Sequence, residues 1–317
     1  MKTTSIIAAI ALIFSTIGCN AQNENEEADF PELKGSYLGQ KPPGMTPEIF
    51  APGIISTENN LHSCPVFSKG GRFVFWKIMM SGDDNGIYFM EMKGDRWSKP
   101  NKVSFIEKVT DIYNDVPFYS PVDETLYFLS DRPDKNNNKE RRLWYTNNNN
   151  DIWETPKLFE DIVPGNISLH WQFTISNSGN FFLTGTSDIG IGMYDIFIAE
   201  KIGDEYIIEL LPEPINSKNS DICPFIAPDE SYLIFASSDR NDGYGKCDIY
   251  ICFKKPDNSY TSPINMGAGI NSSGQEWCPI VTQDGKYLFF TSSRNGFHSA
   301  YWVDAKFIKE LKPKNLK

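Results

Sequence analysis

The stretch Pro224-Phe-Ile-Ala-Pro-Asp-Glu-Ser-Tyr-Leu-Ile-Phe-Ala-Ser-Ser-Asp-Arg240 reads as two short apolar strands joined by a Pro-Asp-Glu-Ser turn. It returns as Pro279-Ile-Val-Thr-Gln-Asp-Gly-Lys-Tyr-Leu-Phe-Phe-Thr-Ser-Ser-Arg294. Weaker copies are anchored at Pro65, Pro117 and Phe173, so the anchors recur every 51 to 56 residues. A fixed period of this length marks a propeller or a solenoid.

Working outward from the clearest copy, residues 223–227 and 232–237 are the strands beside the turn, and residues 238–246 form a Gly/Asp/Asn-rich loop. The pattern predicts a third strand over 248–253 and, after Pro256-Asp-Asn-Ser259, a fourth over 260–264. All are short, rich in β-branched and aromatic residues, and separated by hairpin-length turns. Four antiparallel strands per repeat make a propeller blade. An aromatic residue three before a proline tags the fourth strand at Trp97 and Pro100, Trp153 and Pro156, and Tyr260 and Pro263, with 206–211 a degenerate copy.

The fifth repeat has three strands (278–282, 287–292 and 299–307) and then the chain ends. The segment Pro47-Glu-Ile-Phe-Ala-Pro52 precedes Pro65 by the interval that separates Leu211 from Pro224, so it is predicted to supply the missing outer strand. Closure by the chain ends leaves no open sheet edge. The expected fold is all-β, a five-bladed β-propeller of four-stranded antiparallel blades, its last blade closed by an N-terminal strand. A sixth blade would have to come from residues 23–46, which are too few and too rich in Pro and Gly.

Residues 1–19 read as an export signal: Lys2 precedes an apolar run over 6–17 that is too short to span a bilayer. Thr16-Ile-Gly-Cys19 resembles a bacterial lipobox and predicts lipidation at Cys19, while Cys19-Asn-Ala21 before Gln22 also suits ordinary signal peptidase. Residues 20–46 read as an acidic, then Pro/Gly-rich tether, 47–310 as a single propeller domain and 311–317 as a tail. The expected location is extracytoplasmic, as an outer-membrane or periplasmic lipoprotein or a soluble exported protein. Membrane contact is then confined to the lipid anchor.

A net charge of −11 without a Lys/Arg-rich run excludes a nucleic-acid groove, which needs a concentrated basic face. Beyond Cys19, the five cysteines Cys64, Cys223, Cys247, Cys252 and Cys278 contain no Cys-x-x-Cys, and their odd number leaves a free thiol. Cys64, Cys223 and Cys278 each sit one residue before an anchor, where small apolar side chains pack between inner strands.

The acidic or Asp-Gly turn, the Tyr-Leu-Phe-Phe strand, the Ser-Ser-Arg end and the Asp248-Ile-Tyr250 strand resemble the WD-like repeats of TolB-type periplasmic propellers, over nearly all of residues 47–307. Tyr37-Leu-Gly-Gln-Lys-Pro-Pro-Gly44 and Tyr301-Trp-Val-Asp-Ala-Lys-Phe-Ile308 are similar to an exported Bacteroidota branch of such proteins. The resemblance implies a fold and carries no activity with it.

Three residues before each anchor stand His62, Asn114, His170, Asp221 and Glu276, with Asp115, Trp171 and Trp277 beside them. Pseudosymmetry places this ring at one mouth of the central channel, near the loops that carry Arg132, Arg240 and Arg294. Indoles that stack on a sugar or peptide face, with charged groups to fix orientation, suit a polar ligand. The competing reading is structural, with strand-entry side chains capping loops and pairing between blades. No metal or cofactor is expected, because His62 and His170 belong to non-adjacent repeats and the loop 239–248 lacks EF-hand spacing. Neither a Gly-x-Ser-x-Gly elbow nor a phosphate-cradling Gly-rich loop is present. The sequence therefore leads to the expectation of a non-catalytic module that binds a carbohydrate, a peptide or an envelope protein. The alternatives are a glycan-active hydrolase or lyase using the His/Asp/Glu ring, with Asp221 and Glu276 as acid and base, and a scaffold of an envelope complex.

Overall fold

The computed structural model describes residues 30–79, 85–104, 112–149, 151–159, 162 and 166–316. The leader, Cys19 and the acidic stretch lie outside the described residues. The chain divides into Met1–Glu32, of which only residues 30–32 are described, and Leu33–Lys317. The second unit is the propeller.

Its five sheets are antiparallel and follow one another in chain order. Blade 1 is built from Leu61–Phe67, Phe73–Ile78, Gly86–Lys93 and Asn101–Lys102, with Arg96–Trp97 as an added ribbon. Blade 2 comprises Asn114–Tyr119, Leu126–Ser130, Arg142–Thr146 and Lys157–Leu158. Blade 3 comprises Ile167–Ile175, Phe181–Ser187, Asp195–Ile202 and Glu205–Leu210. Blade 4 comprises Asp221–Ile226, Tyr232–Ser238, Cys247–Phe253 and Ile264–Asn265. Blade 5 takes Glu276–Val281, Tyr287–Ser292 and Ser299–Asp304 from the C-terminal end and Glu48–Ile49 from the N-terminal end.

The closing strand pairs Glu48 with Trp302 and Ile49 with Tyr301. Behind it Phe50, 0 % exposed, packs edge-on against Phe67 of blade 1 and against Phe289 and Trp302 of blade 5. Tyr37 wedges into the same seam against Phe67, Tyr287 and Trp302. The seam is thus an aromatic core shared by both chain ends, and burial of Phe50 alone is worth about 1.5–3 kcal/mol.

The outer strands differ from expectation in register. In blade 4 the strand is Ile264–Asn265, and Tyr260 makes only an isolated bridge to Lys254. Pro263 has no N–H to donate, so the ladder begins after it. Outer strands likewise begin directly after Pro100, Pro156 and Pro47. The tagged aromatic instead seals adjacent blades: Trp153 of blade 2 packs on Phe73 and Phe75 of blade 1. Tyr260 joins the cluster of Phe182 and Ile196 from blade 3 with Leu233, Phe235 and Tyr250 from blade 4.

Buried carboxylates stiffen two of the loops between second and third strands. Asp195 accepts from the amides of Ile191 and Gly192, and Asp248 from those of Tyr244 and Gly245. Each loop then leans on the next blade through a parallel bridge, Tyr194 to Ser220 and Cys247 to Gln275.

Candidate active site at the polar channel mouth

Each inner strand begins at one mouth of the channel and ends at the other. The far end is apolar: Val66, Phe118, Ile175, Phe225 and Ile280 line a cavity of about 40 Å³, little more than room for one water. Below the near mouth, Gln172 donates to the Pro279 carbonyl at 2.9 Å and so crosses from blade 3 to blade 5. Beside it the thiols of Cys223 and Cys278 lie 3.5 Å apart, and Cys278 contacts the His62 carbonyl at 3.5 Å. All five described cysteines are buried free thiols that form this floor and the blade interiors.

The predicted ring divides into two kinds of position. In blades 2, 4 and 5 the entry residue is tied down by a serine and an arginine from the end of its neighbouring strand. Asn114 accepts from Arg132, which also bonds Ser130. Asp221, 0 % exposed, pairs with Arg240 at 2.7 Å and accepts from Ser237 at 2.6 Å. Glu276, equally buried, accepts from Ser292 and Ser272 and pairs with Arg294 at 3.5 Å. Each guanidinium lies over two aromatic rings of its own blade: Phe128 and Trp144, Phe235 and Tyr250, or Phe290 and Tyr301. These six side chains satisfy one another inside the blades, leaving Asp221 and Glu276 enclosed.

Blades 1 and 3 carry imidazoles at the entry position, and no such arginine reaches them in the described residues. Nε2 of His62 lies 3.2 Å from Oδ2 of Asp115 in the next blade, and its ring stacks on Trp171 of blade 3 at 5.4 Å. A contact between non-adjacent blades requires both side chains to project into the channel. In blades 2 to 5 a bulge follows the entry residue and puts Val116, Trp171, Cys223 and Cys278 at positive φ, and in blade 1 the register shifts on both sides of Ser63; bulges characteristically redirect side chains at functional sites. His170 packs edge-on against Tyr194, and Trp277 against His298 at 4.5 Å. Every histidine of the chain, His62, His170 and His298, therefore stands at this mouth.

Asp115 is the carboxylate at the centre. It accepts from Tyr113 Oη at 3.1 Å and from the Val116 amide at 2.9 Å besides its contact with His62. Burial works to raise its pKa, but the charge and hydrogen bond of His62, with Lys77 and Arg141 behind them, outweigh it and hold the carboxyl below the ordinary range. Burial, helped by the charge of Arg141, lowers His170; burial, helped by His62, lowers His298. The mouth thus holds an ionised carboxylate bonded to one imidazole, with two further imidazoles biased to the neutral form. Among the described residues no group of three or more His, Cys, Asp or Glu is placed to hold a metal ion, and no helix is long and apolar enough to cross a membrane.

Tyr113, Arg141, Tyr194 and His298 were not singled out in the sequence. They lie outside the entry positions of the repeat; the scarcity of histidine, three in the whole chain, is the one signal that could have found His298.

Fold and site together define a five-bladed β-propeller with a mainly apolar far end and a polar, histidine-bearing mouth. No protein-family model and no curated protein matches the chain. Solved structures do. An endo-arabinase from Bacteroides thetaiotaomicron aligns at 14 % identity and TM-score 0.50, over 79 % of this chain and 96 % of its own. An exo-beta-1,3-galactanase from Clostridium thermocellum aligns at 11 % identity and TM-score 0.50, over 81 % of this chain and 62 % of its own. A puromycin-hydrolyzing peptidase from Mycobacterium tuberculosis aligns at 14 % identity and TM-score 0.40 over 84 % of this chain, which spans 41 % of the peptidase. At such identities the likeness shows the fold.

These relatives correct two expectations. The arabinase and the galactanase, both at TM-score 0.50, are glycan-cleaving enzymes by name, where TolB-type proteins were expected. The expected non-catalytic binding module, and with it the leaning against an enzyme, finds no support in these neighbours, which are glycan-cleaving enzymes by name. The lack of a linear catalytic motif does not weigh against catalysis, because a propeller assembles its groups from different blades.

Proposed function

We propose that this protein is a glycan-active hydrolase whose chemistry takes place at the His62–Asp115 mouth. The observation that carries the reading is the gathering of all three histidines, an ionised Asp115 and two tryptophans at one mouth of the channel. Trp171 and Trp277 offer faces on which a sugar ring can stack. Hydrolysis needs one group to protonate the leaving oxygen and another to take a proton from water. Asp221 and Glu276 are enclosed by their serines and arginines, so the work falls to the imidazoles. Asp115 holds the His62 imidazole in place, Nε2 3.2 Å from Oδ2, for the part of the acid. His170, biased to the neutral form, suits the base.

Incubation of the purified protein with arabinans, galactans and pectic polysaccharides, followed by reducing-end and product analysis, tests the reading. Saturated products that vanish with His62→Ala and fall at least tenfold with His170→Ala are expected. No turnover of any glycan by the wild type overturns hydrolysis, and unsaturated products would reassign the chemistry to elimination. Export and lipidation at Cys19 belong to the same proposal, since polymeric glycans lie outside the cytoplasm. Cys19→Ala is expected to shift the protein from the membrane to the soluble fraction, and unchanged partition refutes the anchor.

A further inference from the structure

We infer that Arg141 is the anion-recognition residue of this mouth and that the glycan it accepts carries a carboxylate, as a uronate-bearing saccharide does. The inference rests on the glycan-active reading and names its substrate class.

Arg141 immediately precedes the third strand of blade 2, Arg142–Thr146, and is half-buried. Its guanidinium carbon lies 4.8 Å over the ring of Tyr113, the residue whose hydroxyl donates to Asp115. Among the described residues it makes no hydrogen bond and no ion pair. The other arginines around it do: Arg132 bonds Asn114 and Ser130, and Arg142 pairs with Glu140 at 2.8 Å. Asp115 is not its partner, because that carboxylate is occupied by His62, Tyr113 and the Val116 amide. The charge of Arg141 also bears on both Asp115 and His170, in keeping with its place over the Tyr113 ring. On the same Tyr113 ring lies Lys77 Nζ, at 4.8 Å, itself bonded to Asn85. A chain of net charge −11 thus concentrates cations beside its one central carboxylate.

A guanidinium presents five N–H donors in a planar fork that matches a carboxylate in two parallel hydrogen bonds. Stacking on Tyr113 fixes the plane of that fork in advance, so little rotamer freedom is lost when an anion docks. A neutral arabinan or galactan offers Arg141 only hydroxyls. A sugar carboxylate offers it a charge-assisted pair beside the stacking faces of Trp171 and His62. Sulfate esters share the negative charge but not the planar two-oxygen edge.

Calorimetric titration of the full mature chain with a galacturonate oligosaccharide, its methyl ester, a neutral galactan oligosaccharide and a sulfated oligosaccharide tests the inference. Wild type is expected to bind the free acid at least tenfold more tightly than the ester or the neutral sugar, and more tightly than the sulfated one. Arg141→Ala should erase that preference, and Arg141→Lys should retain part of it, both with a melting temperature near wild type. If either variant fails to fold, the acid-against-ester comparison on wild type still decides. Equal affinity for acid and ester, no binding of either, preference for the sulfated sugar, or discrimination that survives Arg141→Ala overturns the inference. Reducing-end assays on the same sugars separate it from the hydrolase reading. Discrimination without turnover supports Arg141 and sinks hydrolysis, whereas turnover without discrimination does the reverse.

Discussion

Replacing Arg240 by Met tests whether the entry positions of blades 2, 4 and 5 are structural. Asp221 is fully buried, and Arg240 is its only cationic partner among the described residues, with 14 % of its side chain exposed and a 2.7 Å contact. Arg240 Nε also donates to Ser237 at 2.7 Å, and Nη2 to the Ile215 carbonyl at 2.6 Å. Met fills much of the space over Phe235 and Tyr250 but leaves the carboxylate with only Ser237 and Ser217 as donors. Breaking a buried pair from one side costs about 3–5 kcal/mol, because the remaining charge is uncompensated. At roughly 2 °C per kcal/mol for a domain of this size, the melting temperature should fall by about 6–10 °C. Urea unfolding monitored by tryptophan fluorescence reads the cost directly, and Asp221→Asn in the same chain should recover most of it by removing the stranded charge. A loss under about 1 kcal/mol, or a loss of glycan binding without a loss of stability, would refute the structural assignment and return Arg240 to the ligand face.

Phe50→Ala empties a fully buried site in the closing seam; a loss of about 3–5 kcal/mol in urea unfolding is expected, and a near-neutral result would deny that the N-terminal strand holds the ring shut. Gly245→Ala places a β-carbon against the backbone oxygens of Gly274 and Ser272 in the next blade, so a cost of at least about 1–3 kcal/mol is expected, measured by the same unfolding. Stability should also depend on acid. His170 and His298 have folded pKa values below their unfolded value of about 6.5. Between the two values the unfolded chain binds more protons, so stability rises with pH there and declines as pH falls below about 6.5. Asp115, depressed, contributes stability that is present above about 3.9 and lost as pH falls through its folded value. Urea midpoints taken from pH 5 to 8 should climb and then level, and His170→Gln should flatten the climb.

Much of the fold is legible in local pattern because a blade is a local object. The Pro-Asp turn, the apolar run Tyr232–Ser238 and the loop ending at Asp248 are each decided within a dozen residues, and repetition at fixed spacing supplies the ring. The closing strand at Glu48–Ile49 was legible for the same reason, since a repeat short of one strand must take it from the other end of the chain. The outer strand of blade 4 was misplaced because Tyr260 looks like a strand residue, while its packing between blades is a tertiary fact. The entry ring was legible as a set of polar residues but not as two populations. Asp221 and His170 occupy equivalent positions, and only the reach of Arg240 to the former distinguishes them.

The sequence by itself determined the five repeats, their antiparallel strands and the closure by the chain ends, because strand periodicity and turn chemistry act over short range. Tertiary structure decided which polar side chains face one another. The stack of His62 on Trp171 joins blades that are not neighbours, His298 comes to the mouth from the loop before the third strand of blade 5, and Arg141, before the third strand of blade 2, meets Tyr113, before the first. No spacing encodes such meetings, since they depend on the ring closing at a radius that brings inner strands within side-chain reach across the channel.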